Sequence, residues 1–171
     1  MKGAIYFSTK YGSTKEYAEW IAEASGLPVY NVLNKHPDPS DFDFLVIGSP
    51  IIYYKLSIHK WIKENIHKIE DKHVIFFSVS GAPSSEKLSR WIKESLPESL
   101  VDSMDHVALR GRQIPRELTM YDRIMLQIAG RFNKDPQAAK EELKGFDYMD
   151  ENSIGPILKL IEQFQESKVY I

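Results

Sequence analysis

The chain has 171 residues, 43% hydrophobic and 27% charged, a length and balance that suit one soluble globular domain over 1–171 and exclude a disordered or fibrous chain. A formal net charge of −2 argues against a general nucleic-acid binder and against a strongly acidic carrier. There is no cysteine, which removes structural disulfides, thiolate zinc sites, iron–sulfur clusters and dithiol chemistry together, so any electron this chain moves must ride on a bound organic cofactor.

The first predicted strand is Gly3-Ala4-Ile5-Tyr6-Phe7-Ser8. Too short to be the apolar region of a signal peptide, it leaves a cytoplasmic location as the expectation. A helix is predicted from Ser13, where Ser13 and Glu16 have the spacing of a capping box, and Tyr17, Trp20, Ile21 and Ala24 form its packed face. A second strand is predicted over Pro28–Leu33, followed by Pro37 and Pro39, which leave room for only a turn or a very short helix. Phe44-Leu45-Val46-Ile47-Gly48 is apolar throughout and reads as a central strand buried on both faces. Ile58, Trp61, Ile62, Ile66 and Ile69 then recur at helical spacing. The fourth strand is predicted over His73–Val79, a helix on Leu88, Trp91, Ile92 and Leu96, and the fifth strand over His106–Leu109. An insertion, about 110–150, carries a further helical stripe of Tyr121, Ile124, Met125, Ile128, Ala129 and Phe132. The last helix places Ile154, Ile157, Leu158, Ile161 and Phe164 on one face, with Pro156 in its first turn. Strands alternating with helices, joined by right-handed crossovers, predict an α/β three-layer sandwich around a five-stranded parallel sheet of order 2-1-3-4-5.

In such a sheet the ligand crevice lies beyond the carboxyl ends of the strands, where the loops after strands one, three and four meet. The first loop, Ser8-Thr9-Lys10-Tyr11-Gly12-Ser13-Thr14, sets hydroxyls around one glycine directly before a helix, whose free N–H groups and dipole favour an anion. It contains neither G-x-x-x-x-G-K-[ST] nor G-x-G-x-x-G, so a terminal monophosphate suits it better than a triphosphate or a dinucleotide. The second loop, Ser49-Pro50-Ile51-Ile52-Tyr53-Tyr54, offers two aromatic rings where a flat ligand would extend from that phosphate. The third, Ser80-Gly81-Ala82-Pro83, is small enough for backbone to approach the edge of a planar heterocycle. Taken singly, each loop also reads as ordinary: a capped helix start, two rim aromatics, a turn. In this order they predict an FMN site whose ligands come from all three.

These residues resemble the flavodoxin family, whose first loop reads T-x-T-G-x-T; Thr9, Gly12 and Thr14 match it. The resemblance implies a flavodoxin-like fold with FMN held non-covalently. It is sharpest for the menaquinone-dependent protoporphyrinogen IX dehydrogenase branch, on Phe7–Thr14 and on an insertion carrying Ala108-Leu109-Arg110, Pro115-Arg116 and Tyr121-Asp122-Arg123 before an apolar helix. That branch has Ile-Arg-Tyr-Gly in the second loop, where this chain has Ile51-Ile52-Tyr53-Tyr54. The resemblance implies an oxidoreductase passing electrons from a reduced substrate through FMN to a quinone or protein acceptor, with no side chain acting as acid or base. Two other readings remain open: an electron-transfer module without its own small-molecule substrate, and a flavin-free binding domain that kept the fold.

Arg110, Arg112, Arg116, Arg123 and Arg131 concentrate basic charge around the insertion beside its apolar stripe, a combination suited to a porphyrin propionate, an anionic membrane surface or an acidic partner. The opposing expectation is a helix that packs on the sheet edge with solvated arginines, and Asp122 beside Arg123 reads as a local ion pair. If the insertion covers the flavin and selects the electron partner, deleting 113–133 spares FMN binding and removes turnover. The five histidines show no metal-ligand spacing.

Overall fold

The computed structural model describes residues 1–167. Strand β1 (Gly3–Phe7) is followed by α1 (Ser13–Ser25), β2 (Val29–Asn31), β3 (Phe44–Ile52), β4 (Lys55–Leu56), α2 (His59–Ile69), β5 (His73–Ser80), α3 (Glu86–Ser95), α4 (Glu98–Ser103) and β6 (Asp105–Arg110). The insertion then contributes β7 (Arg112–Gln113), α5 (Met120–Phe132), α6 (Pro136–Lys144) and β8 (Phe146–Asp147), and α7 (Gly155–Glu166) closes the fold. The parallel strands run in the order β2-β1-β3-β5-β6, which is the predicted 2-1-3-4-5. Short β4 adds antiparallel to the end of β3, and β7 and β8 pair antiparallel as a ribbon of their own.

Side chains alternate across the pleat, so successive residues of one strand serve opposite layers. Ala4 and Tyr6 of β1, Leu45 and Ile47 of β3, and Val74 and Phe76 of β5 join Ile62 of α2 and Leu88 and Ile92 of α3. Ile5, Phe7, Val46, Ile75 and Phe77 join Tyr17, Ala18 and Ile21 of α1 and Ile157 and Ile161 of α7. These two clusters make the three layers. Because β1, β3 and β5 are buried on both faces, their buried runs are apolar apart from two small hydroxyls, Ser49 and Ser78. Among the described residues no helix is long and apolar enough to cross a membrane.

The sequence misses short elements whose stability is not local. The second strand is three residues rather than six, because only Val29–Asn31 find β1 as a partner. Conversely β3 runs on to Ile52, since Lys55 and Leu56 fold back to pair with Ile52 and Ile51. The returning turn is Tyr53-Tyr54, with φ of 49° and 65°. The left-handed region is costly for any side chain with a Cβ, and two-residue turns of this kind ordinarily carry glycine or asparagine.

Candidate functional site

The predicted capping box does not form. The residue before α1 is Gly12, at φ 94°, and no side chain caps the helix; Glu16 instead meets the Arg112 guanidinium at 2.5 Å. Only a residue tolerant of positive φ fits there, and glycine does so without strain. Gly12 N–H donates to Thr9 Oγ1 at 3.1 Å, which draws the loop around the helix end. Ser13 Oγ accepts from the Arg112 N–H at 3.3 Å and donates to the Arg112 carbonyl at 3.4 Å, fastening the chain beyond β6 across the first turn of α1. Thr14 is 1% exposed and its Oγ1 has no hydrogen-bond partner. A buried hydroxyl left unpaired costs about 1–3 kcal/mol, so this atom marks a place where a polar ligand is wanted.

Thr9, Lys10, Tyr11, Ser13 and Thr14 line one cavity with Pro50, Ile51, Ile52 and Tyr53 of the second loop and Ser80 and Gly81 of the third. The three strand-end loops therefore meet as predicted. Ser8, Gly12, Tyr54 and Ala82 do not line it. Ser8 Oγ turns to Ser57 Oγ at 2.5 Å, while Ala82 contributes its carbonyl to Ser80 Oγ at 3.3 Å. Tyr54 leans on Trp91, ring centroids 5.1 Å apart, because adjacent residues of a tight turn send their side chains to different sides. Of the second loop's two tyrosines, only Tyr53 lines the cavity.

The rest of the wall comes from β5, from the segment after β6 and from the insertion: Val79, Gly111, Arg112, Gln113, Leu118, Asp122, Leu126 and Phe146. Phe146 lies against Gly81 so closely that a Cβ there would fall 2.4 Å from the ring, so Gly81 is needed for close approach. The Gly81 carbonyl accepts from Arg110 Nε at 3.1 Å and its terminal nitrogen at 2.6 Å, and that guanidinium lies 3.5 Å from the Tyr148 ring centroid. The third loop is thus clamped from above by the insertion.

Asp122, read from sequence as the partner of Arg123, is instead the hub of the site. It is 4% exposed and accepts from the Tyr11 hydroxyl, the Tyr53 hydroxyl and Lys10 Nζ, the last at 2.6 Å. Burial pushes its carboxyl up, but the bonds from Lys10, Tyr11 and Tyr53 outweigh that and hold it well below the usual carboxylate range. The same contacts act on the donors: burial and then the Asp122 bond push the Tyr53 phenol up, and the Asp122 bond pushes Lys10 up. Arg123 donates to the Pro115 and Arg116 carbonyls at 3.1 and 3.2 Å. The basic cluster read in the sequence is dispersed in this way, with Arg110, Arg112 and Arg123 each spent on a separate local bond. One signal for Asp122 was present: it is the sole acid of α5, three residues after Thr119, whose Oγ1 accepts its N–H at 3.2 Å as the helix cap.

The cavity encloses about 210 Å³, less than the roughly 300–1,000 Å³ common for small-molecule sites. Its floor is strand ends and its roof is α5. Asp122 ties α5 to the strand-end loops through its bonds from Lys10, Tyr11 and Tyr53.

A doubly wound parallel sheet of order β2-β1-β3-β5-β6 with a loop-lined cavity at its carboxyl edge is the flavodoxin-like fold. The chain belongs to the flavodoxin-domain family, which matches residues 4–140. A solved flavoprotein from Bacteroides eggerthii DSM 20697 is similar at 16% identity and a TM-score of 0.53, covering 94% of this chain and 98% of that one. A Lactobacillus acidophilus NCFM flavoprotein in complex with FMN is similar at 15% identity, 64% and 91% coverage and a TM-score of 0.48. A flavodoxin from the domain Archaea aligns at 15% identity over 95% and 99% of the two chains, TM-score 0.45. At 16% identity the likeness to the Bacteroides eggerthii protein is one of fold. No curated protein matches the chain.

Proposed function

We propose that this protein binds FMN and serves as an FMN-dependent oxidoreductase. The observation that carries the reading is the buried, unpartnered Thr14 hydroxyl beside the uncapped start of α1, where Gly12 at φ 94° leaves the first-turn N–H groups without a side-chain acceptor. Free helix N–H groups, the helix dipole and an orphan hydroxyl fit a phosphate monoester. Thr9, Ser13 and Thr14 would hold the phosphate, and Ile51, Ile52, Tyr53 and Gly81 would border the ring system. Bound FMN supplies the electron-accepting and electron-donating chemistry. The chain's own residues bind, orient and exclude water: Leu118, Leu126 and Phe146 present apolar surface to the cavity, and Tyr53 is held by Asp122.

Within this reading, electrons pass from a reduced substrate to a quinone or protein acceptor, in the manner of the protoporphyrinogen dehydrogenases that the sequence resembles. The outward face of α5 supports an apolar or membrane-borne partner on that side. Tyr121, Ile124, Ile128 and Phe132 point to solvent there, Phe132 being 82% exposed, while Asp122 and Gly130 are buried on the opposite face. Contiguous exposed apolar surface of this kind marks interaction sites.

The test is titration of the purified protein with FMN, followed by quenching of flavin fluorescence. Saturable binding of one FMN, weakened by Thr14→Val, is the expected result. A protein that binds no FMN is the flavin-free alternative, and the redox reading then fails. If FMN binds but neither protoporphyrinogen oxidation nor menaquinone reduction follows, the protein is an electron carrier instead.

A further inference from the structure

Thr14 Oγ1 is not the only buried polar atom on this cavity without a partner. Gln113 Nε2 is the second, and Gln113 also lines the cavity. Its position is fixed by its backbone rather than by its amide. Gln113 pairs with Phe146 in the β7–β8 ribbon, and the Gly145 backbone is pressed so close to the Gln113 carbonyl that a Cβ on Gly145 would lie 2.3 Å away. One residue earlier, Arg112 exchanges both backbone hydrogen bonds with Ser13 Oγ, in the first turn of α1. The Arg112 side chain leaves in another direction to reach Glu16. Gln113 thereby follows directly on the residue bonded to the helix start, and it lines the same cavity as Thr14 with its buried donor unpartnered. An unpaired buried donor is costly, and an anionic acceptor would relieve that cost.

We propose that Gln113 is a cofactor-binding residue that closes the phosphate cradle from the insertion side, donating its amide N–H to the phosphate of the FMN assigned above. The inference rests on that FMN reading and adds a ligand from outside the three strand-end loops. It also changes the role of the insertion, which becomes a cofactor clamp as well as a cover. Removal of 113–133 would then weaken FMN binding directly, contrary to the sequence expectation that such a deletion spares it.

The experiment measures the dissociation constants of FMN and riboflavin by fluorescence quenching for the wild type, Gln113→Leu and Gln113→Glu, with the thermal midpoint of each flavin-free protein recorded in parallel. A hydrogen bond to a charged group is worth about tenfold or more in affinity. Gln113→Leu is expected to weaken FMN by about tenfold and to change riboflavin less than about twofold. Gln113→Glu, which sets a like charge against the phosphate, weakens FMN further. The flavin-free Gln113→Leu protein melts no lower than the wild type, because an unpaired buried amide has been replaced by an apolar group. FMN affinity within twofold of wild type, an equal loss for FMN and riboflavin, or a lowered flavin-free midpoint that accounts for the loss each overturns the assignment. If wild type binds neither flavin, the parent reading has failed and this one with it.

Discussion

The sheet and the insertion are built on opposite principles. In the sheet, Ile5, Tyr6, Leu45, Ile47, Ile75 and Phe76 are wholly buried between helix layers, and the hydrophobic effect holds every strand in place. In the insertion most of the large apolar side chains of α5 face outward, with Met120 78% exposed, while Leu126 and the helix's one acid are turned to the cavity. That segment is held by directed polar bonds at Asp122, Arg110 and Ser13 and by contacts around the cavity. Burial is non-directional and additive over a large area, whereas a few hydrogen bonds can be released together. The first arrangement rests on burial over a large area, and the second on a small number of polar ties around the cavity.

The largest effect that would break this contrast is in the core. Phe76→Ala should cost about 3–5 kcal/mol in chemical denaturation, whereas Ile128→Ala on α5 should stay within about 0.5 kcal/mol. A comparable loss at Ile128 would show that α5 is part of the core after all.

Next comes the tie at Asp122. Asp122→Asn should cost about 1–3 kcal/mol, since Lys10 and the two phenols lose a charged acceptor, with the smaller figure favoured by the partial exposure of Lys10. Hydrogen exchange should rise in α5 and β8 and remain unchanged in β1, β3 and β5. The carboxyl is depressed in the folded protein, so its contribution is complete above the unfolded carboxylate pKa of about 3.9 and is lost as pH falls through the lower folded value. Stability measured from neutral pH down into that range should therefore fall less steeply in Asp122→Asn than in wild type. Identical slopes would mean that the carboxylate carries no net stabilisation.

The smallest effect concerns the turn that joins the two regions. Tyr54 at φ 65° gives up strain when replaced by glycine, but loses its Trp91 contact and adds chain entropy, so Tyr54→Gly should shift stability by no more than about 1 kcal/mol. Tyr53→Gly removes the Asp122 bond as well and should be the more destabilising of the pair. The reverse order would place the anchor of the second loop at Trp91 rather than at Asp122.

Much of the fold and half of the site were legible in the residues. Apolar runs such as Phe44–Gly48 mark central strands because a strand buried on both faces is mostly apolar, and the strand-end rule then brings the loops at Thr9, Ile51 and Gly81 together. The capping box was misread because Ser13 and Glu16 are claimed by Arg112, nearly a hundred residues away in the chain. Tyr54 lies off the cavity, against Trp91, because the direction of a side chain in a two-residue turn depends on φ, which composition does not specify.

What the sequence determined by itself is whatever follows from period and local spacing: the strands, the helix faces, the glycine before α1 and the hydroxyls around it. What only the tertiary structure decided is which distant groups share one volume. Asp122 meets Tyr11 across 111 residues and Tyr53 across 69, and the bond from Arg112 N–H to Ser13 Oγ brings the neighbouring Gln113 to the cavity that Thr14 also lines. The chain returns to those positions because β6 lies beside β5 and feeds the insertion back over the first helix, a consequence of the packed sheet that no local pattern encodes.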